Sequence, residues 1–140
     1  MEIFDSYMPS DTYERAKLIA KDAKAGDIYT LSGELGAGKT LFAQGFAAGL
    51  GINSHVVSPT FALMNIHEGN KLPLYHFDMY RLEDDADLES IGHEDYFYAS
   101  GVCLVEWPER VKNSIPPNAV WFEISSDLAH GDDYREITIL

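Results

Sequence analysis

Apolar and polar positions along the chain follow two periods, one helical and one alternating. Tyr13, Ala16, Ile19, Ala20 and Ala23 recur at helical spacing. Ser10 or Asp11 reads as the N-cap of that helix, Asp11 with Glu14 resembles a capping box, and Gly26 would end it. Asp27–Ser32 is rich in strand formers, and Leu41–Leu50 is an apolar helix with Gly51 as its stop. Gly45 and Gly49 weaken that helix by roughly 1 kcal/mol each against alanine. Their small size suits close packing against a sheet. Pro59 interrupts the apolar run Val56–Ile66, so a loop around Ser58 to Thr60 should feed a strand over Phe61–Ile66. Glu68–Lys71 reads as a hairpin turn and Leu72–Tyr80 as the next strand. Alternation puts His76, Asp78 and Tyr80 on one face of it, with Tyr75, Phe77 and Met79 on the other. The polar face fits either a site or plain exposure.

The second half continues in the same manner. Glu83–Glu89 is strongly acidic and reads as a solvated helix or loop, or as a docking face for a basic partner. Glu94–Ala99 is a short helix ended near Gly101. Val102–Trp107 places four apolar residues before a carboxylate, the pattern of a strand buried on both faces in a parallel sheet. Pro108–Val111 begins a short helix, and Pro116–Asn118 is a loop. Val120–Ile124 and Tyr134–Leu140 are strands joined by Asp127–Asp133, as an antiparallel hairpin at one edge. These elements add up to one α/β domain over residues 1–140, with a largely parallel central sheet and flanking helices.

Composition narrows the function classes. With 46% hydrophobic residues the chain of 140 buries a proper core, and no stretch approaches the ~20 apolar residues of a membrane span. Met1–Asp5 carries no signal-peptide pattern, so a cytoplasmic protein without a membrane partner is expected. Cys103 is the single cysteine, which rules out an internal disulfide. It reads as a buried small hydrophobe, with a reactive thiol as the alternative. Asp and Glu total 23 against 10 Lys and Arg, for a net charge of −13. Such a surface repels a phosphate backbone, so any nucleic acid in its biology is expected on another protein. Any anion site must be locally positive within a negative whole.

That local site is legible from Gly33 to Thr40, Gly-Glu-Leu-Gly-Ala-Gly-Lys-Thr. Gly, four free positions and Gly-Lys-Thr, between a strand and a helix, form a phosphate-binding loop. Its glycines let backbone N–H groups close on phosphate oxygens, and the helix behind aims its positive end at the same anion. Lys39 would reach the β- and γ-phosphates, and the Thr40 hydroxyl would bind Mg²⁺. Glu106 ends a buried strand where open α/β sheets place their ligands, a position that holds Mg²⁺ or the attacking water in phosphate-loop proteins. Asp78 is the natural second acid, because Val105-Glu106 supplies only one carboxylate. Ser58 and Thr60 carry hydroxyls on a loop of the kind that senses a γ-phosphate; a plain Pro-Thr turn fits the composition equally.

Four segments in order, GELGAGKT from Gly33, SPTF from Ser58, HFDMYRL from His76 and LVEWPE from Leu104, resemble the TsaE family. This is the ATPase component of bacterial tRNA threonylcarbamoyladenosine synthesis. The resemblance runs from about Ser10 to the C-terminus. It implies a single-domain fold like that of the phosphate-loop nucleotide hydrolases, ATP as substrate, Mg²⁺ as cofactor and slow intrinsic hydrolysis. It also implies a complex with TsaB and TsaD, with tRNA met only through them, and ATP hydrolysis used to reset that complex. Residue by residue, it implies that Leu35, Gly36, Ala37, Gly38, Lys39 and Thr40 wrap the phosphates. It makes Glu106 a metal-binding carboxylate and Asp78 an essential acid. Asp11 and Arg135 are expected as early and late nucleotide contacts. Two other activities fit the loop alone: a small-molecule kinase, and a nucleotide-gated adaptor for which hydrolysis is not required.

Overall fold

The computed structural model describes residues 2–34, 36–59, 63–89, 91–97 and 99–140. Leu35 and Thr60, two of the residues expected at the site, lie outside them. Seven strands are present among the described residues: β1 Glu2–Ser6, β2 Ile28–Ser32, β3 Met64–His67, β4 Leu74–Asp78, β5 Val102–Glu106, β6 Val120–Ser126 and β7 Arg135–Ile139. The helices are α1 Pro9–Lys21, α2 Lys39–Gly49, α3 Asp85–Glu89 and α4 Glu94–Phe97, with a 3₁₀ segment over Pro108–Ser114. One sheet runs in the order β1-β7-β6-β2-β5-β4-β3. Its centre, β6-β2-β5-β4, is parallel, and β1, β3 and β7 pair antiparallel. The expected fold class therefore holds, including the β6–β7 hairpin.

Strand β5 explains the two-layered core. Val102 and Leu104 join Leu31, Leu74, Phe122 and the α1–α2 residues on one face of the sheet. Cys103 and Val105 join Ile28, Phe77, Leu88 and Phe97 on the other. The run without polar interruption is buried on both sides, as its composition predicts. Cys103 is 1% exposed, and burial pushes its thiol up to about 12, so it is a core residue and not a reactive one.

Three expectations are corrected. First, residues 2–6, which carry no strong sequence pattern, form a strand that pairs along β7. The hairpin strand β7 is therefore interior, and β1 is the edge. Second, α1 starts at Pro9 with Met8 as N-cap, two residues before Asp11. Proline suits the first helical position because its φ is preset and its missing N–H would be unpaired there. Asp11 still serves the helix start, since its Oδ2 accepts the Tyr7 N–H at 3.0 Å. Third, Gly45 and Gly49 face helix α1, not the sheet. A Cβ on Gly45 would fall onto the Tyr13 carbonyl oxygen, and one on Gly49 would stand 2.7 Å from the Ala20 Cβ. The two glycines let α1 and α2 touch backbone to backbone.

Candidate functional site

The loop between β2 and α2 opens from the middle of the sheet. Gly36 and Gly38 have φ of 82° and 103°, a region costly to side chains, and Gly38 is the N-cap of α2. A left-handed cap followed at once by Lys39 turns the first N–H groups of α2 toward the sheet's C-terminal edge. On that edge β4 and β5 run parallel, with Asp78 and Glu106 directly opposite each other. The alternative of a merely exposed polar face on β4 is overturned, because His76 is 0% and Asp78 2% exposed.

A cavity of about 530 Å³ is lined by Gly38, Lys39, Thr40, Ser58, Asp78 and Glu106, among others. Residues from four separate sequence segments thus meet in one place. Lys39 is 7% exposed, and its ammonium donates to the Gly33 carbonyl and, at 2.9 Å, to the Glu34 carbonyl. Burial pushes its pKa down, while Glu106, Asp78, Glu109 and Glu34 pull it back up. The four carboxylates thus offset part of the desolvation of the ammonium. Asp78 is held at both oxygens: Oδ2 accepts from Ser58 Oγ at 2.7 Å, and Oδ1 from the Tyr80 N–H at 2.9 Å. Glu106 Oε2 is 2.6 Å from His76 Nε2.

Trp107 follows Glu106 with φ 55° and ψ 49°, left-handed for a non-glycine residue that also precedes a proline. Such conformations cost of order 1–3 kcal/mol and persist only where surroundings impose them. Here the strained turn lays the indole ring under the Lys39 ammonium, 4.5 Å from its centroid, and against Tyr80 at 4.9 Å. Trp107 therefore walls the lysine, with Tyr80 packed against the indole. A second cavity, about 780 Å³, is lined by Gly33, Glu34, Gly36 and Ala37 of the loop together with Trp107 and Trp121.

Arg135 begins β7 yet reaches the loop: its Nε donates to the Ala37 carbonyl at 2.9 Å and its Nη2 to the Gly36 carbonyl at 3.3 Å. Asp11 lines neither cavity, but β1–β7 pairing sets Ser6 opposite Arg135, so the start of α1 lies at the same end of the sheet. Sequence reasoning missed His76 as a partner of Glu106, and missed Gln44, whose Nε2 donates to the Val56 carbonyl at 3.1 Å and ties that segment to α2. The alternation on β4 was the available signal for His76; nothing local marks Gln44.

The donor set suits a hard cation. The oxygens of Thr40, Asp78 and Glu106 are ligands of the Mg²⁺ type, and among the described residues lining the cavity there is no sulfur or imidazole. Among the described residues no three His, Cys, Asp or Glu side chains cluster as a protein-only metal site.

The strand–loop–helix, with Glu106 on the strand beside it and Asp78 on the next strand, defines a single α/β domain with a phosphate-loop-like fold. A family model described as threonylcarbamoyl adenosine biosynthesis protein TsaE matches residues 7–137. The chain belongs to the TsaE family. It is 48% identical over 130 residues to the tRNA threonylcarbamoyladenosine biosynthesis protein TsaE of Bacillus subtilis, covering 93% of this chain and 79% of the relative. It is 40% identical over 129 residues to the TsaE protein of Treponema pallidum, covering 92% of this chain and 93% of the relative. The crystal structure of Bacillus subtilis YdiB superposes with a TM-score of 0.84 at 40% identity, over 99% of this chain and 83% of that one. Among the described residues no helix is long and apolar enough to cross a membrane.

Proposed function

We propose that this chain is a Mg²⁺-dependent ATPase that serves tRNA threonylcarbamoyladenosine formation by binding and resetting a TsaB–TsaD complex. The observation that carries the reading is the meeting of Lys39, Thr40, Asp78 and Glu106 in one cavity at the N-terminus of α2. Loop N–H groups and Lys39 bind the triphosphate and stabilise charge on the transferring phosphoryl group. Thr40 and Glu106 hold the metal, directly or through water, and Asp78 orients the attacking water or completes the outer shell. Bound Mg²⁺ supplies neutralisation of charge on the phosphate oxygens. Arg135 keeps the loop in shape from behind, and Asp11 lies toward the nucleoside end. The acidic surface leaves tRNA to the partners, and the protein works in the cytoplasm.

The test is ATP turnover by the purified protein, alone and with TsaB and TsaD. Lys39→Ala should lower ATP affinity or turnover by orders of magnitude. Normal hydrolysis by that variant defeats the reading, and a rate indifferent to the pair removes partner activation. Rescue of tRNA modification by Glu106→Gln, with ATP bound but not hydrolysed, would instead establish a nucleotide-gated adaptor.

A further inference from the structure

The two acids of the cavity are held differently, and the difference runs through a buried histidine. His76 lies on β4 opposite Leu104, two residues before Asp78, which lies opposite Glu106. His76, Asp78, Leu104 and Glu106 therefore share the face of the sheet that α2 covers. His76 is 0% exposed and Glu106 2%. The His76 Nε2 to Glu106 Oε2 distance of 2.6 Å is that of a charge-assisted hydrogen bond. With Glu106 as the carboxylate, which only accepts, the tautomer that makes this bond is the one with the proton on Nε2.

The remaining atoms give the pair its meaning. His76 Nδ1 has no partner among the described residues, although it is buried. A leucine would fit the apolar neighbours Leu74 and Leu104 without that loss, so packing alone does not account for an imidazole here. Both Asp78 oxygens already accept hydrogen bonds, from Ser58 and Tyr80. On Glu106 only Oε2 is engaged among the described residues, which leaves Oε1 for the cavity that Lys39 and Thr40 line.

We infer that His76 is a positioning residue: its Nε2–H locks the Glu106 carboxylate so that Oε1 alone is presented to the metal–triphosphate. Asp78 is then the anchor of the Ser58 segment, and Glu106 is the acid on which Mg²⁺ dependence rests. This inference rests on the nucleotide-site reading above. A metal ligand held through a hydrogen-bonded neighbour loses much of its affinity when that neighbour is removed, typically 10–100-fold.

The experiment is calorimetric binding of a non-hydrolysable ATP analogue, once in EDTA and once in Mg²⁺, to the full chain. Wild type should bind in EDTA and bind more tightly in Mg²⁺. His76→Leu should bind as wild type does in EDTA and lose about tenfold or more of the Mg²⁺-dependent gain. His76→Gln, whose amide reaches the Nε2 position, should keep most of that gain. If His76→Leu fails to fold, His76→Asn replaces it, because its shorter amide falls at the Nδ1 position and misses Glu106. A full Mg²⁺ gain in the Leu or Asn variant overturns the inference. So does an equal loss in EDTA and in Mg²⁺, the mark of a merely structural role. Wild type that binds without any Mg²⁺ gain also overturns it while leaving the nucleotide site standing. Wild type that binds nothing in either condition removes the nucleotide reading itself.

Discussion

Arg135 and Ala37 are joined by a hydrogen bond from the guanidinium Nε to the backbone carbonyl, 2.9 Å long and 98 residues apart in sequence. A second donor of the same guanidinium reaches Gly36 at 3.3 Å. The late arginine expected to touch nucleotide thus also shapes the loop that would receive it. Lysine, with a single point of charge, cannot reproduce a two-carbonyl fork. Arg135→Lys should therefore weaken nucleotide binding by about tenfold, near the ~1.5 kcal/mol of one hydrogen bond to a charged group. Calorimetry with ADP checks this; unchanged affinity would remove Arg135 from the site.

The close approach of α1 and α2 makes an inverted prediction. By helix propensity alone, Gly45→Ala should stabilise the protein by up to about 1 kcal/mol. The added methyl, however, lands on the Tyr13 carbonyl, which is backbone and cannot swing away. Overpacking of this kind costs typically 1–3 kcal/mol, so the net effect should be a loss. Urea denaturation measures it, and a raised midpoint would show that the helices separate freely.

His67 gives a pH dependence with a definite sign. It is buried, its Nδ1 lies 3.0 Å from Ser54 Oγ, and its pKa is lowered by burial first and by the charge of His76 second. A histidine depressed in the folded state favours folding fully above its unfolded pKa, about 6.5. As pH falls through 6.5 the unfolded chain takes up the proton first, and this contribution is progressively lost. The stability gap between wild type and His67→Gln, measured by urea unfolding, should therefore be smaller at pH 5.5 than at pH 7.5. A gap independent of pH would contradict the assignment.

Cys103 offers a check on the core. With its thiol pushed up to about 12 and its side chain buried in the core on the second face of the sheet, it should not react with a thiol reagent at pH 8 in the native protein. It should react stoichiometrically in denaturant. Rapid native labelling would mean that the second face of the sheet opens easily.

Much of this architecture is written locally. The alternation in Leu74–Asp78 puts His76 and Asp78 on one face, and the unbroken apolar run Val102–Val105 encodes burial on both, because side-chain direction follows from backbone period. The phosphate loop is legible for the same reason, since its glycines answer to positive φ within a few residues. The cap of α1 was misplaced because Ser10 and Asp11 are good caps in isolation, whereas Pro9 set the start.

Local patterns in the chain were enough for the kind of each central element, the glycine turns of the loop, the burial of Cys103 and the family. It took the folded sheet to show that β4 and β5 are neighbours in a register that sets Asp78 against Glu106 and brings His76 within reach. The same holds for β1 beside β7, for Arg135 at the loop and for the glycine contact between α1 and α2. Period and propensity act over a few residues, but pairing partners are chosen among segments tens of residues apart. That choice is made by the packing of the whole core, and no local pattern records it.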